Sequence, residues 1–132
     1  MPKISLVTLG VSDLGRARAF YADGLAWPVK DVPSDEIVFL PLAGAWLALF
    51  GREALAADSG VAPEGSGFRG VTLAHNVESR AAVDAFVARA EQAGARVVAS
   101  PAEKPWGGYA GVFADPDGHL WEVAWNPHLD LT

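Results

Sequence analysis

The sequence predicts an α+β fold made of two β-α-β-β-β modules in a single domain, and three observations predict it. The first is an internal repeat. Asp13, Ala17, Phe20 and Tyr21 fall on Ser79, Val83, Phe86 and Val87 at an offset of 66 residues, each set a helix-starting cap followed by apolar residues at helical spacing. Later in each copy, Val38 and Phe39 fall on Val112 and Phe113, and Leu47 and Leu49 on Trp121 and Val123, at an offset of 74. The second is size: two copies fill a chain of 132 residues, that of one ordinary domain, and a period near 66 is too long for a solenoid unit. The third is the run Asp115-Pro116-Asp117-Gly118, with Asp first, Pro second and Gly fourth as a type I turn prefers. The larger offset places eight extra residues in the second copy, around Pro101 to Tyr109.

Each element follows from local chemistry. Ile4 to Val11 is apolar and rich in branched residues, a buried strand ended by Gly10 and the Ser12-Asp13 cap. The next helix carries Ala17, Phe20, Tyr21 and Leu25 on one stripe, and Trp27-Pro28-Val29 leaves it. Short strands fit near Val29, at Glu36 to Leu40 and at Ala45 to Phe50, with Pro41 to Gly44 as a turn. A helical turn is expected at Arg52 to Ala57. Module one is therefore residues 1–57, a small, polar stretch over 58–68 is the linker, and module two is 69–132. There the strand Gly70 to Val77 precedes a helix from Ser79 to about Ala93, whose inward face is Val83, Phe86, Val87 and Ala90 and which Gly94 ends. Strands follow at Ala95 to Ala99, Tyr109 to Ala114 and His119 to Ala124.

Composition excludes several function classes. A formal charge of −6 disfavours nucleic acid and anionic membrane surfaces, both of which need a basic patch. The absence of cysteine removes disulfides, thiolate metal sites and a cysteine nucleophile. Met1-Pro2-Lys3 runs straight into a strand without the basic and apolar regions of a signal segment, so a cytoplasmic protein is expected.

The helix bearing Phe20-Tyr21, the strand Leu73-Ala74-His75-Asn76-Val77, the run Trp106-Gly107-Gly108-Tyr109-Ala110-Gly111 and the hairpin Phe113 to Val123 together resemble the vicinal oxygen chelate superfamily, in a glyoxalase-like branch. That superfamily holds glyoxalase I, extradiol dioxygenases, fosfomycin-resistance enzymes and bleomycin-binding proteins. The resemblance spans nearly the whole chain. It implies that the mixed sheet of the modules curls into a cup with helices outside, that relatives hold a divalent ion there, and that homodimers are the expected assembly. The family's first-strand ligand position falls on Leu6 and, in the second module, on Thr72; the last-strand position falls on Ala48 and Glu122. Leucine and alanine cannot coordinate and a neutral hydroxyl is a weak ligand, so the expectation is no metal and no other cofactor.

Parity along the strands places Leu6, Thr8, Trp46, Ala48, Thr72, Ala74 and Asn76 on the face shared with Glu122, an apolar lining with a few polar handles suited to a small organic ligand. Trp106 and Tyr109, beside Gly107 and Gly108, close one end of the cup or pack; Trp121, Trp125 and His75 point to the helix side. His119 follows the turn and His128 lies in the polar tail, so spacing does not gather the three histidines. Glu122 is the candidate catalytic group, as general acid or base, against a plain role hydrogen-bonded to Thr72 or Asn76 or paired with an arginine. Three functions follow: metal-independent binding of a small organic molecule, of the bleomycin-resistance kind; a metal-dependent lyase or dioxygenase; and a metal-free isomerase or lyase working through Glu122.

Overall fold

In the computed structural model, which describes residues 1–132, the chain falls into two units, Met1–Gly67 and Phe68–Thr132. Unit 1 begins with β1 (Leu6–Val11), then α1 (Leu14–Arg18), β2 (Ile37–Leu40), β3 (Trp46–Gly51) and α2 (Arg52–Ser59). The Asp13 side chain accepts from the Arg16 N–H at 2.9 Å, the cap the sequence predicts. Beyond Arg18 the helix widens into a π-helical turn over Ala19–Gly24, closed by the Leu25 N–H on the Phe20 carbonyl. The widening leaves the stripe intact: Ala17, Phe20, Tyr21 and Leu25 are all buried. Burying such side chains stabilises by roughly 1.5–3 kcal/mol each, against ~1 kcal/mol for the cap, so packing rather than capping holds this helix.

The sheet of unit 1 runs β1-β3-β2, with β1 parallel and β2 antiparallel to β3. Register puts Leu9, Val11, Val38, Leu40, Leu47 and Leu49 on one face, and all six are buried, beneath α1 and α2. The strand expected near Val29 shrinks to a single bridge between Lys30 and Phe39. Pro28 before it and Pro33 after it supply no N–H for a ladder, which keeps the segment from pairing further.

Unit 2 comprises β4 (Leu73–Asn76), α3 (Arg80–Gln92), β5 (Arg96–Glu103), β6 (Tyr109–Ala114) and β7 (Leu120–Trp125), with the sheet order β4-β7-β6-β5. Ser79 caps α3 by accepting from the Ala82 N–H at 3.0 Å, and Gly94, at φ 116°, takes the left-handed conformation that ends it. As in unit 1, the first strand pairs parallel to the last, Leu73 opposite Trp121 where the earlier unit has Val7 opposite Leu47. The strand separation is eight residues greater in the second unit, as the two sequence offsets require.

Those extra residues are not the open loop expected at Pro101 to Tyr109. β5 continues to Glu103, and a tight turn closes through the Lys104 N–H to the Gly108 carbonyl at 2.8 Å and the Gly107 N–H to the Lys104 carbonyl at 3.0 Å. Pro101 is tolerated because the β5–β6 pairing is irregular around it, with register shifts between Val97 and Ala99 and between Ala99 and Ala102.

A second difference concerns Val38 and Phe39, matched by offset to Val112 and Phe113. The ladders instead equate Val38, opposite Leu49, with Gly111, opposite Val123. One more residue in the β6–β7 turn moves the offset of this strand to 73, and a slip of one reverses every side chain. Phe113 is therefore buried on the helix face while Phe39 points the other way.

On that helix face α3 covers an aromatic row. His75 lies 4.5 Å from Phe86, Phe86 6.4 Å from Phe113, and Phe113 stacks on Trp121 at 6.4 Å. Burial pushes the His75 imidazole below its ordinary value of 6.5, against a smaller opposing pull from Glu78. The folded state thus prefers neutral His75 while the unfolded chain protonates ordinarily, so this stabilisation is present above pH 6.5 and declines as pH falls through that value. Thermal midpoints measured from pH 8 to pH 5 should fall more steeply for the wild type than for His75→Gln; parallel curves would contradict the assignment. No helix of the chain is long and apolar enough to cross a membrane.

Candidate functional site

The face of the unit 1 sheet opposite α1 and α2 carries four of the residues expected to bind. Leu6 pairs with Trp46 and Thr8 with Ala48, so all four share this face, and Phe39, opposite Ala48, joins them. Ala48 is fully buried, whereas Leu6 and Trp46 remain 42% and 38% exposed, as apolar side chains without a cover within the unit. Phe39 and Trp46 meet edge to face at 6.5 Å. Beside them opens a cavity of about 390 Å³ bounded by residues 3–6, Phe39, Gly44 and Trp46. Phe39 and Lys3 are not among the residues that the sequence points to: Phe39 owes its facing to its register with Ala48, and Lys3 lies before the strand.

In unit 2, Ala74 pairs with Glu122 and Asn76 with Ala124, which puts Ala74, Asn76 and Glu122 on the face away from α3; Thr72 immediately precedes β4, outside the ladder. Glu122 is half-buried, and its carboxylate has no hydrogen-bond or ion-pair partner in the unit; the anticipated bonds to Thr72, Asn76 or an arginine are not formed. Asn76 also borders a cavity of about 590 Å³ formed with Glu78, Trp125 and the tail residues 126–132.

Tyr109 does not join them. It lies opposite Trp125 on the helix face, and its hydroxyl donates to Asp84 Oδ1 of α3 at 2.7 Å. That bond raises the phenol above its ordinary value, so Tyr109 holds its proton near neutrality. The same face carries Arg80, which pairs with Glu103 and sits 4.5 Å above the Trp125 ring. Trp106 occupies the tip of the β5–β6 turn, 43% exposed and laid over Gly108: a Cβ at Gly108 would come within 1.9 Å of its ring and 2.5 Å of the Trp125 carbonyl. Gly108 is therefore a close-packing residue.

The donor set does not fit a divalent ion. Leu6 and Ala48 stand one ladder step apart diagonally on β1 and β3, while Glu122 lies on β7 and Thr72 immediately precedes β4. Two of the four side chains have no donor atom, Thr72 offers a neutral hydroxyl, and Glu122 alone carries charge. In neither unit do three His, Asp or Glu side chains gather in a ligating group.

Comparison with known proteins agrees with this architecture. The family model described as Glyoxalase/Bleomycin resistance protein/Dioxygenase superfamily matches residues 3–123. Among solved structures, the chain is similar to a glyoxalase-related enzyme from Fulvimarina pelagi, with 35% identity and a TM-score of 0.86 over 96% of this chain and 90% of that one. It is similar in fold to a glyoxalase/bleomycin resistance protein/dioxygenase family enzyme from Burkholderia phytofirmans PsJN, at 24% identity and TM-score 0.84 over 94% of this chain and 98% of that one. A lactoylglutathione lyase from Agrobacterium tumefaciens shares the fold at 24% identity and TM-score 0.71, over 96% and 95% of the two chains. No curated protein matches the chain.

Proposed function

Because the chain belongs to the Glyoxalase/Bleomycin resistance protein/Dioxygenase superfamily yet keeps one charged side chain at the four positions where a metal is expected, we propose that it binds a small organic molecule on its open sheet face without a metal ion, sequestering or carrying it. The donor set carries this reading. On the unit 1 sheet an apolar, partly aromatic wall of Leu6, Phe39 and Trp46 supplies affinity, and a sparse polar group such as Thr8 sets orientation. Elemental analysis of the purified protein should find well under one transition-metal ion per chain, while native mass spectrometry retains an organic guest. Supplying zinc, nickel or iron(II) to chelated protein should leave guest affinity and thermal midpoint unchanged; a stoichiometric ion that raises either sinks the proposal.

One observation favours a second reading, a metal-free isomerase or lyase: the Glu122 carboxylate is half-buried and not engaged by another side chain, which suits a group that moves a proton on a carbonyl compound. Glu122→Gln separates the two. Under the binding reading affinity stays within about threefold, since an amide fills the same space. Under the enzymatic reading turnover disappears while binding persists.

A further inference from the structure

We infer that the cavity of unit 1 is shaped for a small planar aromatic carboxylate, with Lys3 selecting the charge and Trp46 the ring; this rests on the metal-independent binding proposed above. The walls specify shape. Phe39 and Trp46, 6.5 Å apart with planes 61° from one another, form a corner of two aromatic faces, and Ile4 and Leu6, 70% and 42% exposed, continue it in apolar carbon. A flat ring stacked on one face meets the edge of the other, the arrangement aromatic pairs prefer. A volume near 390 Å³ lies at the small end of ligand cavities and accommodates one or two fused rings.

Charge is specified by a single residue. Lys3 is the only charged residue bounding the cavity. Neither its ammonium nor the neighbouring Ser5 hydroxyl is engaged by another side chain. The Ser5 main chain is already fixed, its carbonyl accepting from the Trp46 N–H at 3.0 Å, so the ladder holds the cation's segment against the aromatic wall. With a formal charge of −6 the protein as a whole repels anions, and a preference for a carboxylate must come from this local ammonium. An exposed pair of this kind is worth about fivefold in affinity and weakens with salt.

Calorimetric titration of the intact protein with 2-naphthoate, 2-naphthylmethanol and protonated 2-naphthylmethylamine, three probes of one shape and three charges, tests this. The carboxylate should bind about fivefold more tightly than the alcohol and the ammonium more weakly than both. Lys3→Met should level the carboxylate with the alcohol, and Trp46→Ala should weaken all three by about tenfold through the lost stacking. Three probes binding equally, unmoved by Lys3→Met, overturn the charge assignment and leave metal-independent binding standing. No binding of any probe, with an organic guest still retained in native mass spectrometry, overturns the cavity assignment alone. Absence of both probe binding and guest removes the two readings together.

Discussion

Replacing Tyr21 by alanine is expected to destabilise the protein by about 3–5 kcal/mol, the usual cost of emptying a buried aromatic site. Tyr21 has no exposed surface, meets the Phe20 ring edge-on at 4.8 Å and stacks on Trp27 at 5.7 Å. These neighbours cannot close in. Phe20 is the preceding residue on the same π-helical turn, and the Trp27 N–H is bound to the Tyr21 carbonyl at 3.0 Å, so both rings are anchored by the backbone that carries them. Tyr21→Phe keeps the ring and should lose no more than about 1.5 kcal/mol, the net worth of one hydrogen bond. Urea unfolding followed by tryptophan fluorescence and by circular dichroism checks both variants. A loss under about 1.5 kcal/mol for the alanine variant would mean that the π-helical turn repacks.

The Asp115→Ala variant should lose about 2–4 kcal/mol, because two main-chain donors lose a charged acceptor at once. Asp115 is the one buried charged residue of the chain, 4% exposed, and its Oδ1 accepts from the Asp117 N–H and the His119 N–H, each at 2.9 Å. Its carbonyl accepts from the Gly118 N–H and its own N–H donates to the His119 carbonyl, both at 2.9 Å, so a single residue fastens the whole β6–β7 turn. Asp115→Asn retains an acceptor without the charge and is expected to lose about half as much. A fall in the thermal midpoint of roughly 10 °C for the alanine variant is the readout. If asparagine and alanine lose equally, the charge and not the acceptor geometry carries the turn.

That turn was also the most legible part of the sequence, because type I geometry is a local matter and Asp-Pro-Asp-Gly meets every positional preference. The helices around Phe20 and Phe86 were legible for a related reason: each cap and stripe lies within one segment, and the structure keeps the Asp13 and Ser79 caps. What escaped depended on pairing between distant strands. A single residue added in the second hairpin reversed Phe113 relative to Phe39, and no local signal records such a slip. The strand expected to stop at Ala99 runs on through Pro101, which register irregularities absorb. At the site, period-two counting gave Leu6, Thr8, Trp46 and Ala48 one face, and Ala74, Asn76 and Glu122 one face, as the ladders do, since it needs only the strand itself. Tyr109 was placed from its neighbouring glycines and not by parity with Phe113, which would have turned it to the helix face where it lies.

The lone bridge that stands in unit 1 for a fourth strand sets how firmly Phe39 is held. On one side β2 is laced to β3 along its whole length; on the other, the Lys30 N–H on the Phe39 carbonyl at 2.9 Å is the single fastening. The amides between Val29 and Leu40, Pro33 having none, should accordingly exchange with deuterated water sooner than those of β6, which is flanked by ladders on both edges. A guest resting on Phe39 would suppress that local opening, so occupancy would register as slowed exchange along this margin and as added resistance to heating.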